Sequence, residues 1–504
     1  MTPEFRSPTL TVCLSELFSG PLEEETRRSP VHPRPYIHDH RKSPDSRSID
    51  CLPNETLGAI FDEGRTSGTR GSWLISVSHV SRRWRDVAVY SPFLWNNIYY
   101  GPHQRSRNAL MYTRACLERS RNCPLDVTLQ FEDGEPGQFD AVPRLIVQMI
   151  LPHVNRWRTL DVHMHHHRSL AYLLDQLPIQ ATILKHVRVV LENKDDQNYS
   201  REVFKPGAPM LASIELRGIS FASCKFPLAQ LTSLVLTRST RTLSPSEFRR
   251  VLTSPTSLRD LSLSGDLVSA GRDAWDPISL PSLTSLTLSP GSETSFTHLC
   301  TALIMPALES LTMQHFSPET IRIFAGSIHS DSPKYPSLRR LELRTLGCFV
   351  ASNSMTAEIV DLLERCPMIT QLSLISFYSS TYIPLLKLLF CEQPARMSKS
   401  PPREWQFDRD DSGDTLFGIQ TAEWSDSLDL ANDSSNLSTR VLLPLLRTFG
   451  ITPLNGDNIA DVCKLISTRT AAGLAISCFR TSAYDRISPD HFQWLREHVT
   501  LDRI

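Results

Sequence analysis

One phrase returns along the C-terminal two-thirds of this chain. It reads SLRDLSL at 257–263, SLTSLTL at 282–288 and SLRRLEL at 337–343. Looser copies are RWRTLDV, LKHVRV, MLASIEL, LTSLVL, ALESLTM, MITQLSL and LLRTFGI. Their middle apolar residues are Leu160, Val187, Ile214, Leu234, Leu261, Leu286, Leu311, Leu341, Leu372 and Phe449, spaced by 27, 27, 20, 27, 25, 25, 30, 31 and 77 residues. Side chains alternate along a strand, so the two leucines of L-x-L share one face. Repeated at a near-constant period, that face is buried only by stacking each copy on the next, which calls for short parallel strands.

All spacings but the last approximate the ~20–29-residue period of leucine-rich repeats. Helical signals fall between the copies. In SPSEFRRVL, Ser244 is placed to cap, Pro245 suits the first turn and Glu247 completes a capping box. SPETIRIFAGSI and MTAEIVDLLERC read the same way. The Asn or Cys expected soon after L-x-L is largely missing, which predicts an irregular solenoid with turns of unequal length. The long gap holds an insertion near 394–440 with nine acidic residues against five basic ones, read as a long loop. DNIADVCKLISTR and SPDHFQWLREHVTLDRI then look like helices that cap the open end.

The other end differs. Residues 1–48 are rich in Pro, Ser, Arg and His and read as a disordered tail. Order is expected from IDCLPNETLGAIFDEG, where Asp50 can cap, Pro53 suits a first turn, and Leu57, Ile60 and Phe61 share a helix face that Gly64 ends. In SHVSRRWRDVAVYSPFLWNNI, Val77, Val80, Trp84 and Val87 recur at helical spacing, with Trp95 returning towards the core. Arg82, Arg83 and Arg85 fall on the opposite face. A surface for nucleic acid wants aromatic and cationic groups together, and here the pattern separates them. The expected core is therefore Val77, Val80, Trp84, Val87 and Trp95. Three helices in about 50 residues bury such groups poorly alone, which marks Leu52, Pro53, Leu57, Ile60 and Phe61 as candidates for a partner groove.

The order Leu-Pro-x-Glu, apolar, Ile-Phe, loop, then HVSRRWRDVAVYSPFLW resembles an F-box of the form common among mushroom-forming fungi. CLERSRNCPLDVTLQF, at 116–131, resembles the segment that follows it in those proteins, and Leu125, Val127 and Leu129 alternate there as a strand would. The resemblance implies docking onto the small Skp-type adaptor of a cullin-based (SCF-type) ubiquitin ligase. The fold expected is α/β: a short three-helix F-box at 49–98, a connecting segment at 99–155, a leucine-rich-repeat-like solenoid at 156–453 with parallel strands on the concave face and helices and loops on the convex face, and a capping region at 454–504.

Chemistry is conspicuously thin. HMHHH places His163, His165 and His167 on one strand face, but no nearby cysteine or carboxylate cluster completes a ligand set, so no metal and no cofactor is expected. No P-loop, G-x-G-x-x-G, G-x-S-x-G or H-E-x-x-H occurs. Cys366 and Cys463 read as structural. The net charge of −1 offers no general attraction to nucleic acid or membranes. Eleven scattered cysteines without a C-x-x-C pair, and no signal peptide, point to an intracellular protein, cytoplasmic or nuclear. The expected function is substrate recruitment without catalysis, the adaptor at one end and an unknown protein target at the other. A non-ligase binding scaffold is the alternative. Strand residues between the leucines point outwards, so Asp260, Ser262, Ser285, Thr287, Arg340 and Glu342 are the candidate target contacts.

Overall fold

The computed structural model describes residues 49–503, apart from 68–71, 102–105, 132–140, 166, 178, 193–199, 206, 239–240, 270–274, 329–334, 346–352, 378, 391–440, 455 and 483. The expected tail at 1–48 and the insertion at 394–440 thus lie outside the described residues. The chain forms two compact units, one through Leu308 and one from Glu309.

The first unit opens with three helices, α1 (Asn54–Ser67), α2 (Ser72–Ser78) and α3 (Arg82–Tyr90), and a 3-10 turn over Pro92–Trp95. Pro53 stands just before α1, not inside it, and its carbonyl accepts from the Leu57 N–H at 3.0 Å. Gly64 does not end α1. It lies within the helix because the Trp73 ring fills the space a Cβ would need, 2.3 Å away, and the Trp73 indole N–H donates to the Phe61 carbonyl at 3.0 Å. Gly58 likewise sits beneath the Phe93 ring, 3.2 Å from where a Cβ would be. Both glycines trade helix propensity for close aromatic packing. The single helix expected across 74–88 is broken at His79–Ser81, where the Ser81 hydroxyl caps α3 by accepting from the Trp84 N–H at 3.2 Å.

Eight parallel strands follow in this unit: β1 (Asn97–Tyr100), β2 (Leu125–Phe131), β3 (Trp157–Met164), β4 (His186–Leu191), β5 (Ser213–Arg217), β6 (Ser233–Thr237), β7 (Asp260–Ser264) and β8 (Ser285–Ser289). The sheet therefore starts at the end of the three-helix cluster. The segment expected as a connector carries β1, α4 (Ser106–Arg119), β2 and α5 (Ala141–Ile150). Helices α6 (His167–Asp175), α7 (Pro245–Thr253) and α8 (Glu293–Ala302) occupy three later crossovers. Between β4 and β6 no helix is present among the described residues; a two-residue pairing of Arg201–Glu202 with Cys224–Lys225 stands there instead. The capping box on α7 forms as its sequence predicts, with the Ser244 N–H donating to Glu247 Oε2 at 3.0 Å and the Ser244 hydroxyl accepting from the Glu247 N–H at 3.3 Å. It holds the Glu247 carboxyl below its usual range, chiefly through the Ser244 backbone N–H.

The second unit repeats the scheme with β9 (Ser310–Gln314), β10 (Arg340–Arg344), β11 (Gln371–Ile375), β12 (Thr448–Thr452), β13 (Cys478–Arg480) and β14 (Thr500–Asp502), all parallel. Its helices are α9 (Pro318–Gly326), α10 (Asn353–Arg365), α11 (Ser379–Leu389), α12 (Gly456–Ala471) and α13 (Pro489–His498). The expected capping region is thus more than helices: β13 and β14 extend the pairing.

The recurrent leucines stand in register. Ile98, Val127, Leu160, Val187, Ile214, Leu234, Leu261 and Leu286 form one buried row. Leu311, Leu341, Leu372, Phe449 and Phe479 form the corresponding row of the second unit. Leu372 pairs directly with Phe449, so the 77-residue spacing is one lengthened repeat between neighbouring strands. Hydroxyls add bonds at the strand entrances. Thr232, Thr284, Thr370 and Ser477, each just before a strand, donate side-chain bonds to the carbonyls of Ala212, Arg259, Arg339 and Arg447 at 3.1, 3.3, 3.2 and 3.2 Å. Each of those carbonyls also accepts two backbone N–H groups from the following repeat.

Arg469 closes the lengthened repeat. Its fully buried guanidinium donates to the Leu389 and Leu442 carbonyls, both at 3.2 Å, and to Leu443 at 2.7 Å. Those carbonyls flank the residues between 390 and 441, so one side chain ties both ends of the excursion to α12.

Candidate functional site

The three-helix cluster exposes more apolar surface than its size explains. Pro53, the residue before α1, and Ile60 within it are both exposed, Ile60 to 42%. Leu52 beside them is half-buried. Ile49, Val80, Tyr90 and Phe93 are exposed as well. Leu57 and Phe61, expected beside Ile60 in a partner groove, are instead fully buried, because they occupy the α1 face turned onto α2 and α3.

Of the expected core, Val77, Val87 and Trp95 are buried. Trp84 is half-buried, its ring 5.1 Å from that of Phe61. Val80 is corrected: at 60% exposure it lies outside the core, since it falls in the turn between α2 and α3 and not on a continuous helix.

Of the three arginines expected on the opposite face, Arg82 is exposed and Arg83 is engaged. Arg83 is half-buried; its Nε donates to Asn54 Oδ1 at 3.1 Å and its Nη2 to the Leu52 carbonyl. Trp95 is turned inwards, with its indole N–H donating to the Ala88 carbonyl at 2.7 Å and the Arg119 guanidinium 4.4 Å over its ring. Arg83 and Trp95 thus bond to the chain's own carbonyls, and Arg119 lies over the Trp95 ring.

This geometry has a counterpart among known proteins: residues 49–100 match the F-box-like family. The segment is an F-box-like domain. Domains of this kind typically serve as adaptors in cullin ligases and not as enzymes. No curated protein matches the chain. The match ends at Tyr100, the last residue of β1, so the F-box-like domain and the sheet share a strand.

The outward faces of the strands are polar. Asp260 and Ser285 are register partners, as are Ser262 and Thr287, in the first unit. Arg340 and Glu342 alternate on β10 in the second. The six expected contacts therefore divide between two units. Arg340 pairs with Glu309 at 3.4 Å, and Glu342 with Arg344. In the first unit Arg188 lies 3.2 Å from Glu215 and 3.8 Å from Asp161, and Arg158 pairs with Asp126 through Nε at 2.9 Å. Opposite charges alternate across the strands, with no sustained basic stripe.

Glu192, four residues beyond Arg188, supplies a carboxylate that sequence reading missed beside the histidines. It meets His163 Nε2 at 3.2 Å and His165 Nδ1 at 2.8 Å. Among the described residues no group of three or more His, Cys, Asp or Glu is arranged to hold a metal ion. Burial pushes the Cys116, Cys366 and Cys463 thiols each up to about 12. A cavity of about 460 Å³ between α12 and α13 is lined by Cys463, Lys464, Asp490, His491 and Trp494, without a paired acid and base. Among the described residues no helix is long and apolar enough to cross a membrane.

Proposed function

We propose that this chain is the substrate-recruiting subunit of a cullin-based ubiquitin ligase. Its F-box-like domain docks onto a Skp-type adaptor through Leu52, Pro53 and Ile60, and its strands form an irregular leucine-rich-repeat solenoid that holds a protein target. The observation that carries the reading is the exposure of Pro53 and Ile60 beside half-buried Leu52, in a segment that matches the F-box-like family. Leu57 and Phe61 contribute by shaping the helix that presents Ile60. The protein itself does no covalent chemistry. It raises the effective concentration of the target beside the partnered ubiquitin-transferring enzyme.

The target surface is the polar outward face of the strands: Asp260, Ser262, Ser285 and Thr287 in one unit, Arg340 and Glu342 in the other. Its mixed charge suits a protein partner better than nucleic acid. Affinity purification of the full chain, and of a chain lacking 49–98, tests both halves. The adaptor and cullin are expected with the full chain only, and a target with both. A target captured without adaptor by the full chain would support a non-ligase scaffold instead. Charge reversal at Asp260, Arg340 and Glu342 is expected to weaken the target and spare the adaptor.

A further inference from the structure

We infer that Arg83 is a positioning residue that holds the Leu52–Pro53 corner in the shape the adaptor meets, an inference that rests on the F-box reading above. The corner has little else to fix it. Pro53 has no N–H to donate, and α1 begins only at Asn54. In this stretch the Leu52 N–H donates to the Ile49 carbonyl at 3.2 Å and the Leu57 N–H to the Pro53 carbonyl. Between them the Leu52 carbonyl points at α3, where Arg83 donates to it. The same guanidinium donates through Nε to Asn54 Oδ1 at 3.1 Å. One rigid planar group thus grips the chain on both sides of Pro53.

The placement of Arg83 costs α3 something. The first turn of α3 contains Arg82 and Arg83 and no acidic residue, the wrong charge for the positive end of a helix dipole. A cation there is accounted for by its contacts across to α1. The Ser81 cap sets the start of α3 and hence the direction of the arginine. Lysine cannot replace it, because a single ammonium on a flexible stem does not span a carbonyl and an amide in a fixed fork. A corner already held lets the adaptor bind without the entropic cost of ordering that backbone.

The test uses the full chain and a recombinant Skp-type adaptor, with affinity by calorimetry and amide hydrogen exchange across 49–57. Arg83→Ala is expected to weaken adaptor binding about tenfold, as loss of a charged hydrogen-bond pair implies, and to speed exchange at 49–57 while the thermal midpoint of the chain hardly moves. Arg83→Lys should recover only part of the affinity. Asn54→Ala, which leaves Arg83 in place, should give a smaller loss in the same direction and covers the case where Arg83→Ala fails to fold. Wild-type affinity in a folded Arg83→Ala chain, or full recovery by lysine, overturns the inference. A wild-type chain that ignores the adaptor overturns the ligase reading itself, and the positioning role falls with it.

Discussion

Residues 49–100 leave Ile49, Ile60, Val80, Tyr90 and Phe93 exposed, five of the twelve large apolar side chains so exposed among the described residues. The strands beyond them do the reverse. Within each unit the recurrent leucines and their substitutes are buried in register, and the outward positions between them are mainly polar. Size explains the contrast. A repeat hides its apolar face on the next repeat, so adding repeats adds core without adding exposed apolar area. Three short helices have no such neighbour on their outer side, and apolar residues retained there lower the cost of meeting a partner. The apolar excess of the helices and the polar outer face of the strands are thus two kinds of surface, suited to two kinds of contact.

The sharpest way to break the strand side of this comparison is at Arg469. Replacing it with alanine leaves the Leu389, Leu442 and Leu443 carbonyls without that partner. The change is expected to cost about 3–5 kcal/mol, as for other broken buried charged networks, read as a fall in the denaturant midpoint. A loss below 1 kcal/mol would show that the excursion between 390 and 441 closes without it. Next comes Trp84→Ala, expected to destabilise the F-box-like domain by about 2–3 kcal/mol because the ring is only half-buried against Phe61. Thr370→Val keeps the shape but removes the hydroxyl bond to Arg339, and about 1 kcal/mol is expected in the same denaturation assay. Val80→Ser should change stability by no more than about 0.5 kcal/mol, since its side chain already faces water. Equal effects of Trp84→Ala and Val80→Ser would erase the division between core and exposed face within the helices.

The strand register could be read from the chain because L-x-x-L-x-L combines a period of two along the strand with a long period between strands. Every residue used to mark a copy lies on a strand. The shortest strands were not legible: NIYY and CFR carry no L-x-x-L and pair only because neighbours are already in place. Helix faces were legible, but the break at Val80 was not, since Ser81 looks like any polar residue between apolar ones until its hydroxyl is seen capping α3. Which residues of α1 face outwards was half legible. Leu57, Ile60 and Phe61 have the same periodicity whether they face inwards or outwards, and only packing against α2 and α3 separates Ile60 from the other two. Arg83, Glu192 and Arg469 act on residues 26 or more positions away. No local pattern marks such contacts.

The docking surface proposed for the adaptor is the Leu52–Pro53 corner together with Ile60 of α1. The direct test replaces Leu52, Pro53 and Ile60 together with alanine in the full chain and measures binding to a purified Skp-type adaptor beside the thermal transition. The account predicts that adaptor binding disappears while the transition stays close to wild type, because Pro53 and Ile60 are exposed and Leu52 is half-buried. Wild-type adaptor affinity in that variant would contradict it.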